Sequence, residues 1–214
     1  MQLQQGILIS IEGIDGSGKS TLAKNLCTEL QKKKLPIIAT REPGKTPLGQ
    51  VLRTLVQEKK VGICPKAEYL LFAADRAQHF DEFIIPHLKE KKLIISDRMA
   101  DSSIVYQGYG RGLDINMIKT INAWSMNDIK PDVTIYVRVS PNVAIERILK
   151  RKEKLTSFEK EKREFINTLF TGFDTLFKDQ HNVIILDGTQ TPEELTNYAT
   201  EKVIQWLQNN KKIQ

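Results

Sequence analysis

The chain has 214 residues, a net charge of +6 and 40% hydrophobic residues. That size fits one α/β domain or two small ones, and the apolar share is enough for a normal core, which excludes wholesale disorder. The longest apolar runs, such as 7–9 and 183–186, are far too short to cross a bilayer, and no basic-then-apolar leader opens the chain, so a cytoplasmic protein with no membrane partner is expected.

A buried strand is predicted at 7–12, followed by Gly13-Ile14-Asp15-Gly16-Ser17-Gly18-Lys19-Ser20-Thr21. This is the Gly-x-x-x-x-Gly-Lys-Ser phosphate loop, placed between an apolar run and a helical pattern (Leu22, Leu26, Leu30). Its glycines let backbone N–H groups turn inward around an anion, and the helix from 19 to 33 aims its positive end at the same charge. Lys19 is placed to reach the outer phosphates and the Ser20 hydroxyl to hold magnesium. Residues 13–21 are therefore the expected ATP-binding segment.

Further along, strands are predicted at 37–40, 93–96, 133–139 and 182–186. Helices are predicted at 47–58, 66–90, 114–127, 141–152, 158–178 and 192–209. Pro47, Pro65, Ser140-Pro141 and Thr191-Pro192-Glu193-Glu194 mark helix starts, and Pro86 should bend the third helix or end its first part. Continuous apolar strands alternating with helices predict an α/β fold with a parallel sheet covered on both faces. No repeat or flexible linker interrupts the chain, so 1–214 reads as a single domain.

Eight Lys or Arg stand against five Glu between Glu146 and Glu164. The stretch 151–162 is so charged, and so poor in apolar residues, that it reads as a mobile flap over a phosphate donor, one that excludes water during transfer. No aromatic residues interleave with the basic clusters, which argues against a nucleic-acid partner. Cys27 and Cys64 lack metal spacing, with Cys27 expected in the core. His79, His87 and His181 are scattered, so no zinc site is expected.

Phosphate loops serve several classes of protein. A guanine-reading Asn/Thr-Lys-x-Asp segment is missing, and motors and transporter ATPases are usually longer, which leaves small kinases. Arg98 follows the strand at 93–96, at the carboxyl edge where ligands bind in such sheets, and Arg53 lies on a helix. Both are candidates to grip an acceptor phosphate with a planar fork of donors. Phe72 and Arg76 are four apart and share one helix face.

Thr40-Arg41-Glu42-Pro43-Gly44, Phe72-x-x-x-Arg76, Asp97-Arg98 and Asp101-Ser102-Ser103-Ile104-Val105-Tyr106-Gln107-Gly108-x-Gly110-Arg111-Gly112 resemble the thymidylate kinase family in order and spacing. With the phosphate loop, the resemblance covers nearly the whole chain. It implies the nucleoside monophosphate kinase fold with a five-stranded parallel sheet, a homodimer, and phosphorylation of dTMP to dTDP by ATP with magnesium. It implies that Phe72 stacks on thymine, Arg76 binds its O4, Ser103 binds the base edge, and Tyr106 and Gln107 line base and deoxyribose. A Tyr ring close to the sugar C2′ would clash with a ribose hydroxyl. Asp15 would lie near the sugar 3′-hydroxyl and the phosphate-binding Arg, Glu42 would face the acceptor, and Asp97 would support magnesium beside Ser20. Arg147 would pack against the donor adenine.

The catalytic set expected on this basis is Lys19, Asp15, Arg98 and Arg151. Two departures stand out. Thr156-Ser157-Phe158-Glu159 lacks the Arg that such flaps carry at the position of Ser157, so Arg151, Lys152 or Lys154 would supply that charge. Lys45 stands where the Arg-Glu-Pro-Gly segment normally continues with Gly. The alternatives are another small kinase, acting on a deoxynucleoside or a different monophosphate, and a nucleotide-binding regulatory protein that has lost catalysis.

Overall fold

The computed structural model describes residues 2–58, 61–151 and 154–213. Five strands, β1 (Ile7–Glu12), β2 (Ile37–Arg41), β3 (Leu93–Asp97), β4 (Val133–Arg138) and β5 (Val183–Asp187), form one all-parallel sheet in the order β2-β3-β1-β4-β5. β1 is buried along its whole length, as expected of a mostly apolar strand covered on both faces.

Around the sheet lie α1 (Lys19–Lys32), α2 (Pro47–Glu58), α3 (Pro65–His79), α4 (Ile85–Lys89), α5 (Ala100–Ser103), α6 (Ile115–Ser125), α7 (Pro141–Lys150), α8 (Arg163–Phe177) and α9 (Pro192–Asn209). Leu22, Leu26 and Leu30 of α1 pack with Ile7, Ile9 and Ile11 of β1 and with Val203 and Leu207 of α9 in the largest core cluster. The proline starts of α7 and α9 are capped by side chains. The Ser140 hydroxyl accepts from Val143 N, and Thr191 and Glu194 form a reciprocal capping box.

Two predicted helices need correction, and one helical segment was not expected. The helix expected over 66–90 is broken by a wide turn at Phe80–Ile84 with π-type hydrogen bonding, in which Ile85 N donates to Phe80 O. Pro86 then sits in the first turn of α4, where its missing N–H leaves no gap. The helix expected from 158 begins at Arg163, and 157–160 form a turn. No helix was expected over 100–110, yet α5 runs into a second wide turn at Ile104–Gly110. Its polar residues and two glycines hid it, because they follow no 3.6-residue apolar period.

In-register pairing sets the site. Ile11 of β1 and Arg41 of β2 both lie opposite Asp97 of β3. The phosphate loop, the Glu42 segment and Asp97-Arg98 therefore leave the same carboxyl edge of the sheet side by side. This is the edge at which open parallel sheets bind ligands. Among the described residues no helix is long and apolar enough to cross a membrane.

Candidate active site

The loop after β1 closes on itself through Ser17 N donating to Ile14 O at 3.2 Å. Gly16 has φ of +81°, and a Cβ there would lie 2.4 Å from Ala144 O of α7, so position 16 admits no side chain. Gly18 caps α1 in the left-handed region, at φ of +97°. The loop thus presents backbone to any anion at the α1 N-terminus. Lys19 is buried, with Nζ donating to Ile14 O at 3.2 Å and Asp15 Oδ1 at 3.4 Å. Burial and the neighbouring Arg98 charge lower its pKa, against the pull of Asp15 and Asp97.

Arg98 is the hub. Its NH1 donates to Gly13 O at 3.0 Å and Ser102 Oγ at 2.8 Å, and its NH2 to Asp15 Oδ1 at 2.6 Å and Tyr106 OH at 2.9 Å. Tyr106 OH in turn donates to Asp15 Oδ2 at 3.0 Å. Burial alone would raise the Asp15 carboxyl, but the Arg98 and Lys19 charges outweigh it and hold that carboxyl well below the usual range. Arg98 adopts φ of +71°, left-handed backbone that a non-glycine side chain takes at a cost of about 1 kcal/mol or more. Its N–H donates to Ile11 O at 3.0 Å, which ties the turn to β1.

Glu12 stabilises this turn, and the sequence reading missed it. Its carboxyl accepts from Met99 N at 2.7 Å and Ser102 Oγ at 2.6 Å. Burial, and then the Asp101 carboxylate, push it well above the ordinary Glu range. A charged residue ending an otherwise apolar buried strand was the available signal.

A second network holds the far wall. Glu42 accepts from Arg76 Nε at 2.9 Å and pairs with His79 Nδ1 at 3.0 Å, while His79 Nε2 meets Thr40 Oγ1 at 2.7 Å. Arg76 NH1 donates to Asn122 Oδ1 at 2.7 Å, and NH2 to Ser103 Oγ at 3.0 Å. His79 and Asn122 come from outside the motifs, and no spacing in the sequence announces them. Arg53 NH1 donates to Pro43 O at 2.9 Å. Lys45 lies with Nζ 4.5 Å from the Phe83 ring centroid, a cation–π contact beside this wall.

Both networks open on one cavity of about 340 Å³. Its walls bring together Asp15, Glu42, Arg53, Phe72, Arg76, Arg98, Ser103, Tyr106 and Gln107, with Lys19, Ser20, Asp97 and Arg151 at the phosphate-loop end. The wide turn at 104–110 is what lets Tyr106 and Gln107 both line it. Arg147 does not line it. It lies on α7, and its NH1 donates to Ser17 O at 3.3 Å. Thr21 continues α1 beyond the loop and is exposed. The flap covers the cavity. Phe158 is buried, 6.0 Å from the Phe72 ring and 5.6 Å from the Tyr106 ring between centroids. Ser157, at the missing Arg position, has its own role: its N and Oγ each donate at 2.9 Å, to the carbonyls of Gln57 and Val56 at the end of α2. Arg151 pairs with Glu159. Lys152 lies outside the described residues, and Lys154 lines the cavity.

Asp75, one residue before Arg76, is buried with Oδ1 accepting from Gly44 N at 3.0 Å and Oδ2 without a hydrogen-bond partner among the described residues. Burial, and then the Glu42 charge, push it up to about 6. The folded protein therefore binds this proton more tightly than the unfolded chain. Stability is lost as pH rises from about 4 to 6, and the loss, about 2–3 kcal/mol, is complete above that window. Asp75→Asn keeps the acceptor for Gly44 and removes the charge. Urea unfolding at pH 4.5 and 7 should show a smaller fall in stability for the variant than for the parent, and equal falls would refute the assignment.

A phosphate loop on the central strand of a parallel sheet, abutting an arginine-lined pocket under a flap, defines a small kinase of the nucleoside monophosphate kinase fold. The sequence profile of the thymidylate kinase family matches residues 11–198. The chain is 41% identical over 191 residues to the thymidylate kinase of Carboxydothermus hydrogenoformans, covering 89% of this chain and 93% of the relative. It is 38% identical over 199 residues to that of Kosmotoga olearia (92% and 95%) and 39% over 201 residues to that of Halothermothrix orenii (93% and 97%). The chain belongs to the thymidylate kinase family.

Proposed function

We propose that this chain transfers the γ-phosphoryl group of ATP to the phosphate of dTMP, giving dTDP for dTTP synthesis. The observation that carries this reading is the meeting, in one cavity, of a main-chain anion site and an Arg53–Arg98 end facing a slot lined by Phe72 and Arg76. ATP phosphates occupy residues 13–21, with Lys19 on the outer phosphates and Arg147 beside the adenine. The dTMP phosphate lies against Arg98 and Arg53, its sugar against Asp15 and Tyr106, and its base over Phe72, with Arg76, Ser103, Gln107 and Glu42 around its edge. The acceptor oxygen is already anionic at neutral pH, so in-line attack needs no strong base. Rate comes from positioning and from spreading charge over Lys19, Arg98 and Arg151.

The residues present fit a magnesium ion. Ser20 Oγ donates to Asp97 Oδ2 at 2.5 Å, while Asp97 Oδ1 is buried without a hydrogen-bond partner among the described residues. One hydroxyl and one carboxylate suit an ion that otherwise keeps water and substrate phosphate oxygens. Among the described residues no group of three or more His, Cys, Asp or Glu could hold a metal alone. When bound, magnesium would neutralise charge on the transferring phosphates.

The protein acts as a homodimer in this reading, without nucleic acid and in the cytoplasm. Leu48 and Val51 of α2, Leu70 of α3 and Met117 and Trp124 of α6 are exposed apolar residues on neighbouring helices, a face that a second copy would cover. One preparation tests both points. ADP release with MgATP against dTMP, dUMP, dCMP, UMP and thymidine should be fastest with dTMP, and light scattering should give twice 24.4 kDa. Faster turnover of another acceptor would overturn the substrate, and a monomer mass would overturn the dimer.

A further inference from the structure

Besides the Ser157 tie to α2, a guanidinium fastens the flap to the acceptor side of the pocket. Arg111 follows the wide turn that carries Tyr106 and Gln107. Its Nε donates to Glu68 Oε1 at 3.2 Å, and its NH2 reaches Glu161 Oε1 of the flap at 2.7 Å. Its guanidinium also lies 4.6 Å from the Phe165 ring centroid and 5.6 Å from that of Phe158. Glu68 is almost fully buried, and the same Oε1 accepts from Gln107 Nε2 at 3.0 Å. Glu68, Phe72 and Arg76 are spaced by four, so the carboxylate that anchors Arg111 lies on the helix stripe that lines the pyrimidine slot.

We propose that Arg111 is a positioning residue that couples flap closure to occupation of the acceptor slot, through the chain Gln107–Glu68–Arg111–Glu161. This rests on the reading of the cavity as the dTMP site. A base seated against Gln107 and Phe72 fixes Glu68, Glu68 fixes the fork of Arg111, and the fork presents its remaining face to Glu161. With Glu161 docked, Phe158 closes over the slot and Arg151 is held at the phosphate end. An open flap leaves Arg111 with Glu68 and removes Phe158 from the slot. The acceptor and the flap thus stabilise the same arrangement, and because the flap also faces the donor, the two substrates should each strengthen the other's binding by the same factor.

Calorimetric titration of dTMP, with and without a non-hydrolysable MgATP analogue, measures that factor directly, and the reverse titration must return the same value. Glu161→Gln keeps the shape and removes the charge at a partly exposed position. It is expected to lower the coupling at least threefold with the melting temperature within about 2 °C of the parent's, a loss that a purely structural contact would not produce. Arg111→Met should lower it at least as far. Parental coupling that survives in both variants overturns the latch alone, as does a parent with no coupling. A parent that binds no dTMP overturns the pocket assignment and the latch with it.

Discussion

Lys19→Ala should lower kcat by about 10²–10³-fold with saturating dTMP and MgATP, the typical effect of deleting one preorganised charge at a reacting centre. The ammonium is buried at the one point where the phosphate loop and the acceptor pocket adjoin. There it is placed to offset negative charge that grows on the transferring group. The fold should survive the change. Asp15 keeps Arg98 and Tyr106 as partners, and the variant sheds a cation whose charge burial opposes. Steady-state kinetics with a melting curve on the same sample decides the matter. A kcat within threefold of the parent's, in a folded variant, would remove Lys19 from the chemistry.

Arg76→Met should act differently, on stability and on acceptor choice. Arg76 is fully buried, and its removal leaves the buried Glu42 carboxylate without its guanidinium partner and takes a donor from Asn122 Oδ1, which keeps Tyr69 OH at 3.0 Å. Breaking a buried pair in this way costs about 3–5 kcal/mol. For a chain of this size that is roughly 6–20 °C in Tm. Because Arg76 is the donor proposed to face the base carbonyl, the variant should also lose preference for dTMP over dCMP. A Tm within 2 °C of the parent's, or an unchanged dTMP-to-dCMP ratio of kcat/KM, would contradict one arm or the other.

The two expectations mark what was legible in the sequence. Lys19 belongs to a contiguous motif whose function follows from its spacing. The five strands were equally plain, each a short apolar run found within about two residues of its observed ends. The helix starts were readable because Pro, Ser and Thr act locally. Arg76 was visible, but the residues that hold it were not. Asn122 reaches it from 46 positions away, and Glu12, Glu68 and His79 take their meaning only from partners the fold delivers. A buried ion network is a tertiary object, and no local period encodes it. The wide turns at 80–84 and 104–110 were hidden for a related reason, since one added residue per turn erases the helical repeat used to find helices. At Ser157 the sequence offers only a small polar residue, and its use as a tie to α2 emerges only when 56 and 157 are brought together.

The left-handed backbone at Arg98 has an evolutionary consequence. At most positions glycine is the residue drift removes, because it loosens the unfolded chain more than any other. Here the backbone itself favours glycine, while the four donors that Arg98 extends require a long side chain. This chain therefore carries a standing conformational penalty at this one residue. Glycine there would relieve the penalty but strand the Asp15 carboxylate without its guanidinium partner, so selection for a stable protein opposes the change as well.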